Sequence, residues 1–301
     1  MNGPATRPLL SVDWTAGGRV VRDQQKASQS AESRVHATHT LVEIGDESRG
    51  LSVLGSLDPP DQGDHGSLRV AMPTPEVTNH PLIGDRPIVE VPGPTEPLSG
   101  LLVPMVAGIL KAFTRAALDP GWDCVVIGSD LRAELVSFLG NIMGARSLTA
   151  VRSGAISGVL SSSSPGQVFD SDAEGWFDLL ADHLAERPGP VLAFDTTGVG
   201  SEVNAALAAL PARSQIALFG PSSPGSVSVD FYRDVHRKNV NLLGVEPHLD
   251  NGAASRALSL IDKRLIAAIQ PQVALVEVHE DSIIPSRPQR LVVLDWEPAS
   301  L

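Results

Sequence analysis

The sequence predicts an α/β protein, a doubly wound parallel sheet joined to a smaller, mostly β part. Three observations carry this. From Pro97 onward, short β-type runs alternate with segments of helical spacing, the pattern of strand–helix–strand units. Before Pro97, short β-type runs are separated by Gly, Ser, Asp and Pro, with no helical period. The chain has 301 residues, 42% hydrophobic and 19% charged, enough apolar material for a sizeable core and the length of about two domains.

In order, Leu9–Asp13, Arg19–Arg22, Val35–Ile44 and Leu51–Leu54 read as strands, and Asp58–Gly66 as a loop. Met72–Pro97 carries seven prolines and reads as extended strand and turn. Val103–Ala117 reads as a helix, followed by a turn at Asp119-Pro120-Gly121 and a buried strand, Cys124–Ile127. Leu131–Met143 has apolar residues at helical spacing, with Gly144 as its stop. Ser147–Val151 is the next strand, and the serine run Ser161–Ser164 a surface loop. Asp172–Glu186, Val203–Leu210 and Ala253–Ile269 read as helices. Val191–Phe194, Gln215–Phe219, Val240–Val245, Ala274–Val278 and Leu291–Leu294 read as strands.

Composition excludes several functions. Lys and Arg number 23 against 35 Asp and Glu, a net charge of −12. Nucleic acid and anionic membrane surfaces both call for a basic surplus, so neither is an expected partner. Aromatics are only 4%, which disfavours base stacking. Cys124 is the single cysteine, so neither an internal disulfide nor a thiolate-based structural zinc is available. Met1–Leu10 lacks a signal-type apolar core, and the longest apolar stretches, Leu101–Leu110 and Gln270–Val278, fall short of a membrane span. The expected compartment is the cytoplasm.

In a doubly wound sheet, ligands sit beyond the carboxyl ends of the strands. The first such turn is Gly128-Ser129-Asp130-Leu131-Arg132-Ala133. A dinucleotide fingerprint places glycines at 128, 130 and 133, and only Gly128 is present. Ala133 is small enough for helix and strand to pack. Asp130 sets a Cβ and a negative charge where the backbone should approach a pyrophosphate. After the second strand stand Arg152 and Ser153, which suit a ribose 2′-phosphate better than a 2′-hydroxyl; a solvated arginine is the plain alternative. His36 and His39 lie on a predicted strand, and His236 in a polar segment; surface or structural roles suit them. Cys124 reads as a small core residue, not a nucleophile. No Ser-His-Asp or Cys-His set is visible, and no proton donor can be named.

Five segments carry a resemblance. Val191–Gly198 (VLAFDTTG), a helix and Ile216–Gly220 (IALFG) match a "DATG…helix…LVG" run. Asp230–Gly244 (DFYRDVHRKNVNLLG) matches "lHrKeltllG", and Pro120–Gly128 (PGWDCVVIG) matches "pGdtVlViG", with Pro104–Ala117 as the helix before it. The closing run Val292–Trp296 reads VVLDW, and Arg34–Gly55 matches "vlVrtlysgISxGTEllvyrG". Together these resemble the medium-chain dehydrogenase/reductase superfamily, and within it the zinc-free relatives of bacteriochlorophyllide dehydrogenase. The resemblance implies a Rossmann-like domain over 101–271 and a reduced GroES-like β domain over 1–100 that also takes strands from about 272–301. Zinc-dependent members need a Cys near position 45 and a His-Glu pair about twenty-five residues on. This chain has Gly45-Asp46-Glu47-Ser48 there, no His-Glu pair, and His80-Pro81 as the nearest relic. Leu57–Pro97 is compressed against the family's barrel, and a Pro-containing linker replaces the helix expected between His279 and Leu291.

Two functional classes stay open. In the first, the chain is a zinc-independent oxidoreductase moving hydride between NADP(H) and a small organic substrate. Gly128, Ser129, Asp130 and Leu131 would lie at the pyrophosphate, Arg152 and Ser153 at the adenosine phosphate, and Thr196, Thr197, Gly198, Phe219 and Gly220 along the nicotinamide. In the second, redox chemistry is lost, and the crevice serves a cofactor-free lyase, cyclase or isomerase, or a non-catalytic ligand-binding or partner subunit. The resemblance also implies a homodimer, paired through Ala274–Val278 and the strand before it as the edge of the parallel sheet.

Overall fold

The computed structural model describes residues 10–13, 19–22, 35–43, 49–57, 68–73, 88–117, 120–152, 166–187, 189, 191–220, 228–245, 251–284 and 291–296. Ser153, the Ser161–Ser164 loop, Gly45–Ser48, His80-Pro81 and the linker before Leu291 lie outside these. By contacts the chain divides into two units, Met1–Ala107 with Pro247–Leu301, and Gly108–Glu246.

In the first unit, β1 (Leu10–Asp13) and β2 (Arg19–Arg22) pair antiparallel. Next come β3 (His36–Glu43), β4 (Arg49–Leu57), β5 (Leu68–Pro73) and β6 (Val89–Glu90). They pair antiparallel in that order. Their apolar residues, among them Val42, Val53, Val70 and Met72, pack with Val292, Leu294 and Trp296. The buried Trp296 indole donates to Thr40 Oγ1 at 2.8 Å, which satisfies two polar groups the core would otherwise penalise.

Helix α1 (Pro97–Arg115) begins six residues before the predicted start. Proline suits a first helical turn, so Pro97 opens the helix, and Pro104 lies inside it. By length and composition α1 passes for a membrane span, yet 78% of it is buried within the protein, as in a core helix.

The second unit is built on β7 (Asp123–Ile127), α2 (Leu131–Ile142), β8 (Ser147–Arg152), β9 (Gln167–Asp170), α3 (Trp176–Ala185), β10 (Val191–Asp195), α4 (Gly200–Ala209), β11 (Gln215–Leu218) and β12 (Asn241–Gly244). The sheet order is β12-β11-β10-β7-β8-β9 and every pairing is parallel. This is the doubly wound order, with its switch point between β7 and β10. β7 and β10 are buried at every position because helices cover both faces. On one face Val125, Ile127, Val151, Ala193 and Ile216 pack against Leu180, Leu184 and Leu207. Phe113 meets Phe194 edge to face at 5.0 Å.

Several expectations are corrected. β9 was not predicted: its sequence, QVFD, is short and mostly exposed, so no apolar run marks it. α3 starts four residues late, because Asp170 accepts from the Asp172 and Ala173 N–H groups and closes a turn first. The predicted helix 253–269 is two, α5 (Asn251–Leu260) and α6 (Lys263–Ile269). Asp262 breaks it by accepting from Arg264 N and Leu265 N at 2.9 Å, a new N-cap. Finally, β13 (Val273–Glu277) is not an edge of the parallel sheet. It runs parallel to β14 (Leu291–Asp295), which pairs antiparallel with β3, so both belong to the β-rich unit. The parallel sheet ends at β12.

At the start of β7, Asp123 is 1% exposed and accepts from Arg146 Nε at 3.1 Å, Ser147 Oγ at 2.5 Å and Arg187 Nη1 at 3.5 Å. Burial pushes its carboxyl up, but these donors and the two guanidinium charges outweigh it and hold it below the usual range. A lowered carboxyl stabilises the fold above its unfolded value of 3.8 and loses that contribution as pH falls through the folded value. Asp123→Ala should therefore cost about 2–3 kcal/mol at pH 7. Urea unfolding should show the gap from wild type narrowing below pH 3.8.

Candidate functional site

At the switch point, the chain leaves β7 at Gly128 and β10 at Thr196. Gly128 N donates to Val151 O and Thr196 N to Ile127 O, both at 2.9 Å, extending the ladder to the crevice floor. Gly128 has φ +128°, and a Cβ there would run into the Thr196 hydroxyl. That hydroxyl lies 3.1 Å from Ile127 O and donates to Asp130 Oδ1 at 2.8 Å.

Asp130 is the N-cap of α2. Its Oδ1 accepts from Ala133 N at 3.0 Å, and Arg132 Nη1 stands 3.9 Å from Oδ2. Its carboxylate thus takes a helix-terminal donor and sits at the positive end of the helix dipole, the place an anionic ligand would use. Leu131 and Ala133 are fully buried, so they offer a ligand no side chain. Ser129 is half-buried beside them.

The loop after β10 is folded onto Asp195. Its buried Oδ1 accepts from Thr197 N (3.0 Å), Thr197 Oγ1 (2.7 Å) and Gly198 N (3.3 Å). Burial pushes the Asp195 carboxyl up against these hydrogen bonds, and the Asp130 charge adds to the rise. Glu202, in the first turn of α4, is also raised, first by burial and then by Asp195 and Asp172. Gly220 presses on the backbone of Thr197 and Gly198, with no room for a Cβ. Phe219 N donates to Asp195 O at 2.8 Å, while the Phe219 ring packs at Gly108 of α1.

Arg152 ends β8. It is 9% exposed, and its buried Nε has no hydrogen-bond partner. Its carbonyl accepts from Ser171 N at 2.9 Å, and the buried Ser171 hydroxyl also lacks a partner. A buried donor without an acceptor is costly, which sets Arg152 Nε apart at this strand end.

The structure therefore brings Gly128, Asp130 and Thr196 into direct contact and sets Thr197, Gly198, Phe219 and Gly220 in one packed turn. Gly128 leaves the floor of this turn without a side chain, while Asp130 sets a carboxylate at the start of α2. Sequence reasoning missed Ser171 and Glu202. An acid in the first turn of a helix was the legible signal for Glu202; Ser171 had none.

The segment matching "lHrKeltllG" has structural work. Asp230 caps a π-helical turn, Phe231–His236, by accepting from Arg233 N at 2.9 Å. Arg233 grips Asp234 with two bonds of 2.8 Å. Lys238 Nζ donates to the carbonyls of Leu207, Ala208 and Leu210 at 3.0, 2.6 and 3.0 Å, capping the C-terminus of α4. Burial pushes the Lys238 ammonium down, which its acidic neighbour Asp234 only partly offsets. Cys124 lies within β7, where burial pushes its thiol up to about 12. In the other unit, a cavity of about 270 Å3 is lined by His39, Glu96, Leu98, Gln270 and Leu275. His39 Nε2 stands 3.9 Å from Asp295 Oδ1 there.

Gly128→Ala should cost about 2 kcal/mol or more, from the positive φ and the collision with Thr196. In a Thr196→Ala background the collision is gone, and the cost should drop by about 1 kcal/mol, leaving the φ strain. A double-mutant cycle by thermal or urea unfolding measures both.

No protein-family model matches the chain, and no curated protein matches it in sequence. Solved structures do. Galactitol-1-phosphate dehydrogenase from Escherichia coli superposes with a TM-score of 0.69 at 14% identity, covering 96% of this chain and 100% of that one. A mutant of glucose dehydrogenase from Haloferax mediterranei gives 0.68 at 13%, covering 98% and 100%. A zinc-binding dehydrogenase from Sinorhizobium meliloti 1021, bound to NADP, gives 0.62 at 12%, covering 96% and 100%. Likeness at this level of identity speaks for architecture alone: this chain has the fold of the medium-chain dehydrogenases, a Rossmann-like parallel sheet with a mostly β companion.

Proposed function

We propose that the chain is a zinc-independent oxidoreductase of the medium-chain type that prefers NADP(H) and acts on a small organic substrate. The observation that carries this is Arg152. It is a buried guanidinium with an unpartnered Nε at the end of the second strand of a doubly wound sheet, where this crevice meets the adenosine ribose. A 2′-phosphate supplies the acceptor that Arg152 lacks, and a 2′-hydroxyl does not. When bound, the nicotinamide supplies hydride transfer. The chain's own part is to hold the adenosine end at Arg152 and to shape the far end of the crevice with Thr196, Thr197, Gly198 and Gly220. Neighbours of the same fold bound to NADP and to NADH support a nicotinamide cofactor in general; the preference for NADP(H) rests on Arg152.

Zinc independence is supported by the sequence, which has one cysteine, and that one is buried in β7 with a high thiol pKa. The chain is further proposed to be cytoplasmic and a homodimer that meets its copy through an exposed strand edge. Elemental analysis after dialysis should find less than stoichiometric zinc, and light scattering at micromolar concentration should give twice the chain mass.

A second reading is favoured by Asp130, whose carboxylate already takes the donor end of α2. A diphosphate placed about 4 Å from it is opposed by about 1 kcal/mol at the dielectric of water and about 4 at that of a protein surface. On this reading the chain works without a dinucleotide, as a cofactor-free lyase, cyclase or isomerase, or as a ligand-binding or partner subunit.

Titration with NADPH and NADH, followed by cofactor fluorescence, separates the two. Wild-type protein should bind NADPH more tightly than NADH, and Arg152→Ala should weaken NADPH selectively. Asp130→Gly should improve both. Absence of binding to wild type and Asp130→Gly alike would overturn the oxidoreductase reading and favour the second.

A further inference from the structure

We infer that Thr196 is a positioning residue that sets the ligand specificity of the crevice. Its hydroxyl fixes the Asp130 carboxylate at the N-terminus of α2. An adenosine ligand with a single phosphate at Arg152 is thereby favoured over one that adds phosphate at the helix N-terminus. The inference rests on the nucleotide reading of this crevice and adds to it which end of the ligand anchors and which end is resisted.

The geometry has three parts. First, Asp130 Oδ1 is held from two sides, by Ala133 N at 3.0 Å from its own helix and by Thr196 Oγ1 at 2.8 Å from across the switch point. A cap held only by its own helix could swing aside for a ligand phosphate; the second tether opposes that. Second, the Thr196 hydroxyl reaches Asp130 by crossing the space above Gly128, where any Cβ would collide with it. The residue that opens the turn is thus spent on the tether. Third, Asp195 lies close enough to raise its own carboxyl through Asp130, so two acids lie beside this floor. Arg132 is the cation facing them, at 3.9 Å from Asp130 Oδ2. At the other end, Arg152 is nine-tenths buried with Nε unpartnered, and Ser171 beside it has a buried hydroxyl without a partner. Arg152 Nε thus lacks an acceptor at the end of β8, while Asp130 brings its own negative charge to the start of α2.

The test compares two probes by isothermal titration, adenosine 2′-monophosphate and adenosine 2′,5′-bisphosphate. They share the group meant for Arg152 and differ in the phosphate that faces the helix N-terminus. Wild type should bind the monophosphate at least as tightly as the bisphosphate. Asp130→Asn keeps a capping side chain and removes the charge, and should shift the ratio toward the bisphosphate tenfold or more. Thr196→Val keeps the shape and removes the donor, and should shift the ratio the same way by several-fold. Arg152→Ala should weaken both probes alike. A purely structural Thr196 would change both affinities together and leave the ratio fixed, so an unchanged ratio in Thr196→Val overturns the inference. So does a tenfold wild-type preference for the bisphosphate, and in either case the nucleotide reading stands. Binding of neither probe to wild type or to Asp130→Asn overturns both at once.

Discussion

The second unit turns on one contact, the Thr196 hydroxyl against the Asp130 carboxylate. A doubly wound sheet has to splay at its switch point, because the helices after β7 and β10 lie on opposite faces. In this protein the splayed ends are tied back together by side chains. The tie requires Gly128 beneath it, occupies the start of α2, and leaves the loop after β10 to fold onto its own buried Asp195. The Asp130 and Asp195 carboxylates are consequently held by the protein's own donors, while at the end of β8 Arg152 Nε is buried without an acceptor.

Much of this architecture was legible because it follows from burial. Strands covered on both faces must be short apolar runs, and CVVI, VLAF and the run through Ile216 stand out on that ground alone. What could not be read was decided by polar side chains acting at short range or by distant pairing. Asp262 divides a continuous helical pattern, Asp170 delays α3, and β9 is an exposed edge with no apolar signature. β13 reads as a strand from its composition, but its partner comes from the closing run of the chain, and only the register Val273 with Leu291 decides which sheet it joins.

The site shows the same division. Asp130 was visible as a residue out of place in a phosphate-binding turn, and Arg152 as a cation where an acid is usual. Thr196 was visible only as part of a motif, because its bond to Asp130 spans 66 residues of sequence. The segment DVHRK carried part of the family resemblance, with His236 read as structural. Its Lys238 closes a helix through three carbonyls, and its Arg233 holds a buried acid. Such motifs persist for the fold's sake and say little about catalysis.

Helix α1 has a consequence outside the folded state. Its nineteen residues are apolar enough to pass for a bilayer-spanning segment, and the finished protein hides most of them. During synthesis nothing hides them until the residues that cover them have emerged from the ribosome. For that interval α1 is the stretch a hydrophobic-segment receptor or a chaperone would grip first, and any lesion that loosens its packing re-exposes it. Loss of the fold therefore lays bare a long apolar stretch, the kind of surface that makes a partly folded chain prone to aggregate and open to chaperones.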